Sequence, residues 1–109
     1  MKAYFLDLDG TLFLHGTNEL LPGARDLLDH IVKKGYQIIF TTFRGDKNFK
    51  NHPIYSEKGA LEGIRSLKVS YEAILFNIES PRVVINDGGA VGIEHKTNEA
   101  WTTEKIEKI

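Results

Sequence analysis

"YFLDLDGTLF" (residues 4–13) carries an apolar run into two aspartates, Asp7 and Asp9, followed at once by Gly10 and Thr11. An apolar run of this length stopped by glycine predicts a buried strand over residues 2–8, with the acidic pair at its carboxyl end. Side chains alternate across a strand, so positions two apart face the same side. Two carboxylates so close repel unless a proton or a cation lies between them.

Outward from this stretch the chain reads as alternating strands and helices. Ala24, Leu27, Leu28, Ile31 and Val32 recur at helical spacing between Pro22 and Gly35, which predicts an amphipathic helix. "YQIIFTT" (36–42) reads as a second strand and residues 43–57 as a loop. Ser56 caps a second helix with the stripe Ala60, Leu61, Ile64 and Leu67. "AILFN" (73–77) and "RVVIN" (82–86) read as two further strands separated by a turn at Ser80-Pro81, with a weaker strand at 90–94. Thr102 then caps a short terminal helix. This order predicts an α/β fold, a Rossmann-like parallel sheet flanked by helices in a three-layer sandwich. The third and fourth predicted strands lack room for a helix between them.

At 109 residues the chain has length for one core, so residues 1–109 are expected to form a single domain. Fourteen basic residues against fifteen acidic ones leave no global field for nucleic acid or anionic membranes, so any anion site must be local. There is no cysteine, which excludes a disulfide framework, a thiolate metal site and a cysteine nucleophile. With Asp7 interrupting the first apolar run before it reaches leader length, and no run able to span a bilayer, the expected location is cytoplasmic.

Ligands of open parallel sheets bind beyond the carboxyl ends of the strands. Three such ends carry polar residues here: Asp7 and Asp9; Thr41, Thr42 and Arg44; Asn86 and Asp87. A hard divalent ion such as Mg²⁺ suits oxygen-only ligands, relieves the repulsion between Asp7 and Asp9, and takes Asp87 as a third protein ligand. Such an ion also lets an anionic nucleophile approach a phosphoryl group.

"DLDGTL" (7–12) resembles the first motif of the haloacid dehalogenase (HAD) superfamily, and "IIFTTFR" followed later by "VVIND" is similar to its small, capless phosphatase branch. The resemblance covers most of the chain. It implies that Asp7 is a nucleophile that becomes phosphoaspartate, and that Asp9 protonates the leaving oxygen and then activates water. It further implies that Thr42 binds the transferring phosphoryl group, with Thr41 its neighbouring alternative. Gly10 permits the sharp exit from the strand and Thr11 hydrogen-bonds within the turn. Residues 13–21 would be the flap, and Arg44 would hold phosphate oxygens or the leaving group. The family's charge-balancing lysine has no counterpart in "FNIESPR" (76–82); Lys58 is the assigned replacement, with Arg82 behind it.

The expected function is therefore a Mg²⁺-dependent phosphatase with an open site, acting on a small phosphorylated substrate such as a sugar phosphate or a nucleotide. A nucleic-acid end is compatible with the basic, aromatic loop of Arg44, Lys47, Phe49, Lys50 and His52. Self-association into a homo-oligomer is compatible with so small a core. Two other classes compete: an HAD-like metal- or phosphate-binding module without turnover, suggested by Asn86 and the missing lysine, and a receiver domain. A receiver carries its phosphoacceptor on a middle strand, not in an opening Asp-x-Asp-Gly-Thr.

Overall fold

In the computed structural model, which describes residues 2–109, the chain runs β1 (Ala3–Asp7), α1 (Ala24–Lys33), β2 (Gln37–Thr41), α2 (Asp46–Phe49), α3 (Glu57–Leu67), β3 (Ala73–Leu75) and α4 (Thr103–Glu107). The strands form a parallel sheet in the order β1-β2-β3, with β2 central. Helices flank this sheet, as parallel crossovers require. Its register sets Asp7 opposite Thr41 and Thr41 opposite Leu75, so the polar ends of β1 and β2 are level.

The amphipathic patterns produce most of the core expected of them, with two exceptions: Val32 is 48% exposed and Leu61 only half-buried. Ala24, Leu27, Leu28 and Ile31 of α1 are buried, as are Ala60, Ile64 and Leu67 of α3 and Leu6, Ile38 and Phe40 of the sheet. Each of these leucine, isoleucine or phenylalanine side chains contributes about 1.5–3 kcal/mol relative to exposure, and the alanines less. Ser56 caps α3 by accepting the Gly59 amide at 3.1 Å, and Thr102 caps α4 by accepting the Lys105 amide. Trp101 is buried against this core and its indole N–H donates to the Thr11 carbonyl at 2.7 Å.

Three expectations are corrected. The loop over 43–57 contains the four-residue helix α2. The weak strand at 90–94 is absent, and "RVVIN" (82–86) forms no strand either: residues 81–94 have no strand or helix and are exposed throughout. The cause lies in the connection. Only residues 76–81 separate β3 from Arg82, whereas a parallel crossover takes about a dozen residues or more. Parallel pairing on the free edge of β1 would put Arg82 beside the start of that strand, yet Arg82 is ion-paired to Asp7 at its end. The arm thus leaves the sheet at the wrong end to join it.

Candidate functional site

β1 delivers the acidic pair as its alternation dictates: Leu6 and Leu8 are buried, while Asp7 and Asp9 are half-buried. Gly10 turns the chain with φ 81°, and its amide donates to the Phe13 carbonyl at 2.7 Å. That left-handed conformation favours glycine, and a Cβ there would lie 2.9 Å from Thr97 Cγ2. The tight turn brings Thr11 back over the strand end, where its hydroxyl donates to Asp7 Oδ2 at 3.0 Å. Residues 13–21 form a hairpin, closed by a bridge between Phe13 and Leu20 and a Leu14 amide bond to the Glu19 carbonyl.

The two carboxylates each meet an arginine, and the arginines differ in kind. Arg44 is fully buried. Its Nε and Nη2 donate to the two oxygens of Asp9 at 2.9 and 2.7 Å, Nη1 donates to Asn18 Oδ1 and the Ile54 carbonyl, and Nη2 also donates to the Thr17 carbonyl. All five guanidinium N–H groups are thereby used. The Phe13 and Tyr55 rings lie 5.4 and 5.8 Å from its centre. Arg44 therefore has neither a donor nor a surface to offer a phosphate, which corrects its assignment as a substrate ligand. The loop carrying it folds inward because Asp9, Asn18, the Thr17 and Ile54 carbonyls and the Phe13 and Tyr55 rings complete its surroundings.

Arg82 is the opposite case. One Nη1 N–H donates to Asp7 Oδ1 at 3.0 Å and one from Nη2 to the Ile78 carbonyl, while its remaining donors have no partner among the described residues. Its side chain is 28% exposed and that of Asp7 31%. The cation beside Asp7 is thus Arg82. Lys58, first choice from sequence, has no hydrogen bond or ion pair to Asp7 among the described residues. It stands on the solvent face of α3, because Ala60, Ile64 and Leu67 take the inner face, and it lines a surface cavity of about 390 Å³ with Asp46, Lys50, His52 and Glu62.

The second motif splits between its two threonines. Thr42 is fully buried, its Oγ1 accepting the Arg44 amide at 3.1 Å. Thr41, half-buried, is the register partner of Asp7, and side chains in register share a face of the sheet. The hydroxyl on the side of Asp7 is therefore that of Thr41.

Asp87 does not join the other two carboxylates. It is exposed on the arm, and among the described residues no group of three or more His, Cys, Asp or Glu side chains is placed to hold a metal ion. With Asp7 and Asp9 each paired to an arginine, this arrangement does not form the three-carboxylate Mg²⁺ site expected from sequence. The reason is the one that removed the fourth strand: the arm leaves from the end of β1 where Asp87 was expected to arrive.

Residues without a sequence signal also shape the site. Asn98 accepts the His15 amide at its Oδ1 and donates its own amide to the Gly10 carbonyl, both at 2.8 Å, so the C-terminal segment clamps the turn and the hairpin. Asn18 holds Arg44. Both are lone asparagines in turns, a setting too common to single them out.

No helix among the described residues is long and apolar enough to cross a membrane. No family model and no curated protein matches the chain. Among solved structures, the crystal structure of an MCSG target from Vibrio cholerae is similar, with 22% identity, a TM-score of 0.55, and coverage of 99% of this chain and 95% of the other. At that identity the likeness concerns the fold alone, and it agrees with a small α/β architecture of Rossmann-like type built on a parallel sheet.

Proposed function

We propose that the chain is a phosphohydrolase of HAD type in which Asp7 is the nucleophile. The observation that carries this reading is the surrounding of Asp7: a half-buried carboxylate at a parallel strand end, oriented by the Thr11 hydroxyl and faced by an arginine with unused donors. An Asp7 oxygen attacks phosphorus, the ester P–O bond breaks, and the leaving oxygen takes a proton carried by Asp9 Oδ2, which among the described residues accepts only from Arg44 Nε and keeps a second lone pair for it. Water then attacks the phosphoaspartate, returning a proton to Asp9 and releasing inorganic phosphate. Arg82 neutralises charge on the nucleophile and offers its free N–H groups to phosphoryl oxygens; Thr41 adds a hydroxyl. Gly10 and Thr11 shape the turn on which the phosphoryl group rests.

Mg²⁺ belongs to the proposal as a requirement suggested by the motif; Asp7 and Asp9, each paired to an arginine, and the exposed Asp87 do not form a three-carboxylate site for it. The substrate class is a small phosphate monoester, a sugar phosphate or a nucleotide. The competing reading, a binding module without turnover, draws support from the separation of Asp87.

A phosphoester panel with and without Mg²⁺ decides between them. Phosphate release that EDTA and Asp7→Asn abolish, and that Arg82→Gln lowers by about 10²-fold or more, supports the hydrolase. Absence of turnover by the wild-type chain across the panel overturns it in favour of binding alone.

A further inference from the structure

Arg44 makes more contacts than anchoring one carboxylate requires. Its five donors reach three separate parts of the chain: Asp9 after β1, the hairpin through the Thr17 carbonyl and Asn18 Oδ1, and the loop before α3 through the Ile54 carbonyl. The hairpin also touches the same carboxylate directly, as the Gly16 amide donates to Asp9 Oδ1 at 3.4 Å. Asn18 is itself fixed, its Nδ2 donating to the Gly59 carbonyl of α3 at 3.0 Å. Gly63 leaves just enough room for it, since a Cβ there would lie 2.7 Å from Asn18 Oδ1.

We propose that Arg44 is a positioning residue that couples the hairpin of residues 13–21 to Asp9, so that the seating of the hairpin sets the direction in which the Asp9 carboxylate faces the reacting ester oxygen. The inference rests on the phosphohydrolase reading for its consequence, and on geometry alone for the coupling. Lifting the hairpin strips Arg44 of two acceptors at a place closed to water, where unmade bonds to a charged donor are costly. Releasing Asp9 leaves the same guanidinium unbalanced beneath the hairpin. Neither part moves without the other, and the linkage is reciprocal.

A misdirected Asp9 has a chemical signature. Protonation of the leaving oxygen matters for an alkoxide and little for p-nitrophenolate, whereas a lower folded fraction reduces turnover of both esters alike. The full chain, wild type and Asn18→Ala and Arg44→Lys variants, is assayed with Mg²⁺ on methyl phosphate and p-nitrophenyl phosphate. The expected result is a fall in kcat of about 10-fold or more on methyl phosphate, less than about threefold on p-nitrophenyl phosphate, with KM little changed. Equal losses on both esters, or a change in KM alone, overturn the proposal.

Amide exchange tests the coupling without turnover. In Asp9→Asn, the Leu14 and Thr17 amides, which bond within the hairpin and do not touch Asp9, exchange at least about tenfold faster relative to β2 amides. Exchange that is unchanged, or accelerated equally in β2, overturns the coupling. Should the wild type hydrolyse neither ester, the phosphohydrolase reading fails and the exchange result alone decides the coupling.

Discussion

"IIF" (38–40) and "VVI" (83–85) are both runs of three apolar residues of high strand propensity, yet the first is the middle of a sheet and the second stands in solvent. Phe40 is fully buried between β1 and β3, while Ile85 is 96% exposed. Strand propensity measures the fit to a pleated, half-buried surface, and that surface has to be supplied by neighbours. β2 has them on both edges. The arm has none, because the short link after β3 and the Arg82–Asp7 pair hold its start at the far end of β1.

The same contrast separates the arginines. Arg44 belongs to the packed body and Arg82 to the arm. Arg44→Met is expected to cost about 3–5 kcal/mol, since it leaves the Asp9 carboxylate, only 13% exposed, uncompensated, whereas Arg82→Met costs about 0–1 kcal/mol because its pair is open to water. Urea unfolding of the two variants sharpens the comparison, and similar midpoints would break it. Phe40→Ala is expected to cost about 3 kcal/mol or somewhat more and Ile85→Ala no more than about 0.5 kcal/mol. A large loss for Ile85→Ala would mean that the arm is packed in solution.

The smallest effect lies where the chain rejoins the body after the arm. The Lys105 ammonium, hydrogen-bonded to Glu99 at 2.9 Å, holds the Glu99 carboxyl below its ordinary value of 4.5. A lowered folded-state value means that the contact stabilises above pH 4.5 and is lost as pH falls through the lowered value. In an NMR titration, Lys105→Gln returns Glu99 upward toward its ordinary range, with little change in stability because the pair is solvent-exposed.

Much of the site was legible in sequence because it is local. Asp7, Asp9, Gly10 and Thr11 are fixed relative to one another by strand alternation and one glycine turn, and the observed Thr11–Asp7 bond is of that short range. The caps Ser56 and Thr102 were legible for the same reason. Arg44, Lys58 and Asp87 were not: nothing in a residue's neighbours along the chain states whether a charge turns inward or which strand end it reaches. Arg44 meets Asp9 across 35 positions and Arg82 meets Asp7 across 75.

By itself, then, the order of residues determined the alternating elements, the amphipathic faces and the acidic turn after β1, because periodicity and short-range sterics act over a few positions. Only the tertiary structure decided which cation faces each aspartate, which threonine shares the side of Asp7, and that residues 82–86 stay unpaired. Those outcomes depend on chain closure and on competition among distant partners, and a run of valine and isoleucine carries no record of either.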